Sequence, residues 1–130
     1  MPKLDADLSS HTVLSDEHEQ LTREVLGQVA GKWSLGVLCV LAKAPLPLRF
    51  TQVLKAVGGV TQKALTTTLR NLERDGFVSR VVFPQVPPRV EYALTDLGHA
   101  LYLHVDPLVE WARSQVSAFE AARRRAVAGL

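Results

Sequence analysis

Thr61-Gln62-Lys63-Ala64-Leu65-Thr66-Thr67-Thr68-Leu69-Arg70-Asn71-Leu72-Glu73-Arg74-Asp75-Gly76 is the stretch that decides the fold. Thr61 offers a hydroxyl to an unpaired amide at a helix start. Gly76 suits the left-handed exit after the last turn. Between them, a helix turning about 100° per residue gathers Ala64, Leu65, Thr68, Leu69 and Leu72 on one side. The other side carries Gln62, Lys63, Thr66, Thr67, Arg70 and Arg74. An apolar back and a front of amides, hydroxyls and cations suit a helix lying in a DNA major groove. Taken alone, the same pattern fits an ordinary amphipathic helix with a solvated face. Its neighbours separate the two.

Upstream, Phe50, Val53, Leu54 and Val57 mark the inward face of a short helix that Thr51 can cap, and Gly58-Gly59 ends it. Helix, tight glycine turn and capped helix with a polar front form a helix-turn-helix. Downstream, Phe77 to Phe83 is β-branched and aromatic, Pro84 to Pro88 interrupts, and Arg89 to Leu94 alternates. This predicts a β-hairpin with a tip too rich in proline to pair. A hairpin directly after a helix-turn-helix is a wing. It favours DNA over the plain amphipathic reading, because Arg80 and Arg89 can then reach phosphate or the minor groove.

Earlier in the chain, Met1 to Thr12 lacks periodicity and reads as a frayed arm, with residues 1–14 as a flexible leader to a single domain over 15–130. Ser15 caps a first helix whose apolar face is Leu21, Val25, Leu26 and Val29. Leu35 to Ala42 is apolar all round, which predicts a helix buried on every side. After the wing, Thr95 caps one long final helix reaching about residue 127. Its stripe is Leu97, Leu101, Val105, Leu108, Val109, Ala112, Val116 and Phe119, with a kink expected at Pro107. That stripe exceeds what so small a domain can cover, so Leu101, Val105, Leu108, Ala112, Val116 and Phe119 are expected to meet a second copy, helped by Leu21 and Val25. Helix-turn-helix lies at about 50–76, wing at 77–94 and dimerisation helix at 95–127. The expected fold class is therefore mainly α with a small β-hairpin (α+β): a winged helix-turn-helix flanked by dimerisation helices.

Composition fits this picture. At 130 residues, 47% hydrophobic and 22% charged, the chain has the make-up of an ordinary soluble globular domain. Net charge is only +2, but it is unevenly spread. Residues 1–30 hold Lys3 and Arg23 against six acids, whereas residues 31–95 hold nine cations against three acids. The cationic segment contains the candidate reading helix, as a phosphate-binding surface requires. No apolar run approaches the roughly 20 residues of a membrane span, and no export signal opens the chain. One cysteine leaves no internal disulfide, consistent with a cytoplasmic protein.

The chain resembles the HxlR family of bacterial winged-helix transcription regulators. The motifs are Gly31-Lys32-Trp33, Arg49-Phe50, Gly59 to Thr66, Leu69 to Gly76, Val86-Pro87-Pro88-Arg89-Val90-Glu91-Tyr92 and Leu94-Thr95-Asp96-Leu97-Gly98, with Trp111 in the last helix. Together they span about Gln20 to Trp111. The resemblance implies a cytoplasmic repressor or activator, a homodimer joined by first and last helices, with the fourth helix in the major groove. Many members carry a cysteine near the start of the first helix, some as a sensor of oxidants; Gln20 stands there in this chain. Cys39 lies in the all-apolar second helix, where a thiol is usually an inert small hydrophobe.

For the DNA surface, Thr61, Gln62, Lys63, Thr66 and Thr67 lie in the first turns of the reading helix, where base edges are contacted. Arg70 is expected on a guanine or a phosphate. Lys32, Arg49, Arg80 and Arg89 are expected on phosphates. The expected partners are double-stranded DNA and a second copy; an effector, if one exists, is not named by the sequence. No membrane partner and no cofactor are expected. His11, His18, His99 and His104 show no metal-ligand spacing, and no catalytic motif appears. Two other readings use the same fold: a protein-binding winged helix, and a ligand sensor with a pocket among Trp33, Tyr102, Trp111 and Phe119. The polar, cationic front at Lys63, Thr66, Thr67 and Arg70 argues against the first, while aromatic residues at helical spacing are more often core.

Overall fold

The computed structural model describes residues 15–129, so the expected arm at residues 1–14 and Leu130 lie outside it. Six helices and three strands follow in order: α1 (Asp16–Val29), α2 (Ser34–Lys43), β1 (Leu48–Arg49), α3 (Phe50–Val57), α4 (Gln62–Arg74), β2 (Val78–Phe83), β3 (Arg89–Leu94), α5 (Asp96–Ser114) and α6 (Val116–Ala128). This is a winged helix-turn-helix. Strand order is β1-β3-β2, antiparallel throughout. β2 and β3 pair from Val78 opposite Leu94 to Phe83 opposite Arg89, which leaves the proline segment as an unpaired tip. Leu48-Arg49 adds a third strand on the other side of β3, opposite Tyr92 and Glu91.

The back of α4 anchors the core. Leu65, Leu69 and Leu72 are buried with Val37 and Leu38 of α2, Val53 of α3, and Val78 and Leu94 of the wing. Burying one such leucine is worth about 1.5–3 kcal/mol against a net stability of about 5–15 kcal/mol. α4 is thereby fixed in depth and rotation, and its front faces outward. The turn before it needs two residues with positive φ, supplied by Gly58 (72°) and Gly59 (74°). At its other end Gly76 (86°) takes the left-handed exit.

Four expectations are corrected. α3 begins at Phe50 with Arg49 as N-cap, its amide donating to Gln52 Oε1 at 2.8 Å; Thr51 already lies within the helix. β1 draws Arg49 into extended backbone, so the helix starts directly after it. α2 is not buried on every side: Ser34, Val37, Leu38 and Leu41 are, whereas Leu35, Cys39, Val40 and Ala42 are half-buried. The final helix is two helices, and the break is not at Pro107, which α5 carries within its length. The break is at Gln115. Ser114 Oγ donates to the Trp111 carbonyl at 2.6 Å, and the Gln115 amide turns to Ala112 at 3.0 Å. A serine competing for a helix carbonyl tightens the last turn and ends it.

The fourth correction concerns Val105. Only 4% exposed, it is part of the protomer's own core and has no surface to offer a second copy.

Candidate nucleic-acid interface

The first turns of α4 are held by local hydrogen bonds. Thr61 Oγ1 accepts from the Ala64 amide at 3.1 Å, so its hydroxyl fixes the helix start. Thr66 and Thr68 both turn their hydroxyls to the backbone, donating to Gln62 (2.8 Å) and Ala64 (2.9 Å). Thr68 is buried and Thr66 half-buried. Gln62, Lys63, Thr67 and Arg70 are exposed along one side of the helix. These four form an exposed polar and cationic row; Thr61 and Thr66 sit at its edge with their hydroxyls already engaged.

The wing adds unequal cations. Arg80 is exposed on β2 and, with Arg70, Thr66, Glu73 and Tyr92, surrounds a slot of about 370 Å³ between α4 and the sheet. Arg89 is held differently. Its guanidinium lies 4.2 Å over the Phe83 ring, and Nε stands 3.2 Å from Glu91 Oε2, with the side chain 29% exposed. The Nε is buried and makes no aligned hydrogen bond at that distance, so the contact is chiefly electrostatic. Arg49 is exposed at the start of α3 and shares a cavity with Val86 and Pro87 of the wing tip. Lys32 is exposed on the turn before α2, its Nζ 5.0 Å over the Trp33 ring. The exposed row of α4, the Arg80 cation and Lys32 thus share a frame built on one core.

A second surface lies on the outer helices. Of the residues expected to meet a second copy, Leu21, Leu108, Val116 and Phe119 are exposed; Val25, Leu101 and Ala112 are half-buried. Leu26, Leu97, Leu103 and Trp111 enlarge the exposed apolar area. Leu103 lies off the main stripe, so helical periodicity does not select it. Trp111, 57% exposed, meets Phe119 edge-on across the α5–α6 break, with ring centroids 6.1 Å apart. Trp33 instead lies at the start of α2, packed on the core beside α4, so Trp33, Trp111 and Phe119 do not form one pocket within the protomer. Cys39 is half-buried in α2. Tyr102 donates to Asp106 Oδ1 at 3.2 Å; burial and then the Asp106 carboxylate raise its pKa above the ordinary tyrosine value. Among the described residues, no three His, Cys, Asp or Glu side chains come together as metal donors, and no single helix is long and apolar enough to cross a membrane.

This arrangement is shared with known proteins. The family model described as HxlR-like helix-turn-helix matches residues 28–120. An uncharacterized HTH-type transcriptional regulator of Methanothermobacter thermautotrophicus is 40% identical over 98 residues, covering 75% of this chain and 73% of that protein. The solved structure of a transcriptional regulator named ytfH, from Salmonella typhimurium, superposes with a TM-score of 0.71 at 38% identity, covering 79% and 90% of the two chains. The redox regulator HypR in its reduced form gives 0.69 at 35% identity, covering 77% and 97%.

Proposed function

The chain belongs to the HxlR-like helix-turn-helix family, and from that premise we propose that it is a sequence-specific transcriptional repressor. It acts in the cytoplasm as a homodimer on a two-fold symmetric operator. The observation that carries this reading is the exposed row Gln62, Lys63, Thr67 and Arg70 on a helix whose back is locked in the core. Side chains on a rigid helix front can reach base edges in the major groove; amides and cations are the groups that pair with them. Arg80, Lys32 and Arg49 contact phosphates on either side and set the register. The apolar surface of α1, α5 and α6 supports pairing of two copies, which spaces two reading helices for two half-sites.

The test is a fluorescence-anisotropy titration of DNA from upstream of the gene, repeated at several salt concentrations. A two-fold site, affinity falling steeply with salt and a wide margin over random DNA are expected. Weak binding of equal strength to every sequence would exclude operator recognition and favour a protein-binding winged helix. Placing the operator over a reporter promoter tests repression: the protein should lower expression.

A further inference from the structure

The end of α4 and the middle of α1 flank a pocket of about 390 Å³ lined by Leu21, Glu24, Val25, Arg74 and Asp75. Leu21 and Val25 give it an apolar side, and its two carboxylates are incompletely paired. Asp75 closes α4 as its C-cap, with 13% of its side chain exposed. Its Oδ1 stands 3.3 Å from Arg74 Nε, while Oδ2 is buried without a hydrogen-bond partner. A carboxylate oxygen taken out of water is costly unless a donor or a cation compensates it. The Glu24 carboxylate is exposed, accepts from Gln20 Nε2 at 3.3 Å, and meets no cation among the described residues.

The complement lies on α6. Val116, Phe119, Arg123 and Val127 recur every three or four residues, which puts all four on one face of that helix. All four are exposed, and no residue of α6 is buried on its own protomer. Arg123 therefore interrupts an uncovered apolar stripe, and it forms no ion pair among the described residues. Covering such a stripe strands the cation unless the covering surface supplies an acid. The helices also match in charge: α1 holds four acids and one arginine, α6 three arginines and one acid. We propose that Arg123 of each copy enters the α1–α4 pocket of a second copy, its stem along Leu21 and Val25 and its guanidinium against Glu24 and Asp75. Two-fold symmetry forms the contact twice. The inference rests on the pairing of two copies proposed above and adds the polar contact that sets its register, since apolar contact is non-directional and charge is not. Because Asp75 closes α4, the same contact joins α6 of one copy to the end of the other copy's α4.

Sedimentation equilibrium of the full chain over a range of protein concentrations tests the pair by charge reversal. Arg123→Glu should weaken the dimer about a hundredfold, because symmetry removes two pairs at once, each worth about tenfold. Glu24→Arg should do the same. Together in one chain, the two substitutions restore opposite charges and should return the dimer to within about threefold of the native chain. Asp75→Asn, nearly isosteric, should weaken it about tenfold. Arg125→Glu is the control, since position 125 lies about 160° around the helix from position 123's side and carries the same change of charge; it should cost less than about threefold. Dimerisation of Arg123→Glu equal to that of Arg125→Glu would overturn the pair, as would failure of the double variant to recover. Undiminished dimerisation in Asp75→Asn would overturn the share given to Asp75. Unchanged dimerisation of Arg123→Glu with weakened DNA binding would also overturn the pair, placing Arg123 on phosphate. A native chain that is monomeric at every concentration would instead defeat the pairing of two copies itself, and this contact with it.

Discussion

Thr95 Oγ1 donates to the Gly76 carbonyl at 2.6 Å and accepts from the Gly98 amide at 3.0 Å, so one hydroxyl joins the end of α4 to the start of α5. The Thr95 amide adds a bond to the Phe77 carbonyl at 3.0 Å. The helix proposed to read DNA and the helix proposed to pair two copies are thus fastened at a single residue. Removing that hydroxyl leaves a carbonyl and an amide without their partner.

Thr95→Ala should cost about 1–2 kcal/mol, and Thr95→Ser much less. Thermal unfolding reads the difference, at about 4 °C per kcal/mol for a domain of this size. An unchanged midpoint in Thr95→Ala would show the junction to be held by packing alone.

Gly98 has no room for a side chain. A Cβ there would lie 2.1 Å from the Phe77 carbonyl oxygen, which is backbone and cannot swing away. Gly98→Ala should destabilise by about 3 kcal/mol or more, at the upper end of overpacking costs. Urea unfolding measures it, and Gly27→Ala serves as the control, because a Cβ at Gly27 meets nothing within 4 Å.

The two wing arginines should separate in a salt titration. Arg80→Ala should weaken operator and random DNA alike and reduce the salt slope by about one. Arg89→Ala should change the slope less, because its guanidinium is already engaged by Phe83 and Glu91, and should loosen the wing instead. Equal slopes for the two variants would place Arg89 on phosphate as fully as Arg80.

Much of this was legible in the sequence, because the informative residues act locally. Thr61 and Gly76 bound α4 through cap chemistry, and the leucine spacing sets which side faces the core. Val105 could not be assigned in this way. It lies on the same stripe as Leu108, yet the core ends between them, and periodicity does not say where a partner's territory begins. Two-residue β1 has no alternation to detect; its pairing with Tyr92 and Glu91 depends on where β3 passes. Proline chemistry predicts a kink at position 107 and no break, whereas the α5–α6 break follows from Ser114, whose side-chain bond no spacing rule registers. Arg89 was visible as a charge, but its partners Phe83 and Glu91 depend on strand register.

Pairing of two copies should depend on Leu108 and not on Val105. Leu108→Asp should shift sedimentation from dimer toward monomer with thermal stability of the isolated protomer retained, since the side chain is exposed. Val105→Ala should lower stability by about 1–3 kcal/mol through a cavity in the core while the dimer persists under native conditions.

Alkaline pH should weaken the fold through Tyr102. Its raised pKa means that the folded chain favours the neutral phenol. The corresponding stability is complete below the ordinary tyrosine range and is lost as pH rises through the raised value. Tyr102→Phe should flatten the alkaline arm of a plot of urea midpoint against pH; an unchanged slope would assign the loss to other groups.

The interruption at Gln115 has a consequence for how the last segment comes to be ordered. α6 has no buried residue on its own protomer, and a lone helix of 13 residues is marginal in water. Its persistence is therefore lent by whatever lies against it. On the proposed pairing of two copies, such a segment behaves as a tenant of the dimer, and its order should follow protein concentration where that of α4 follows only the integrity of the core.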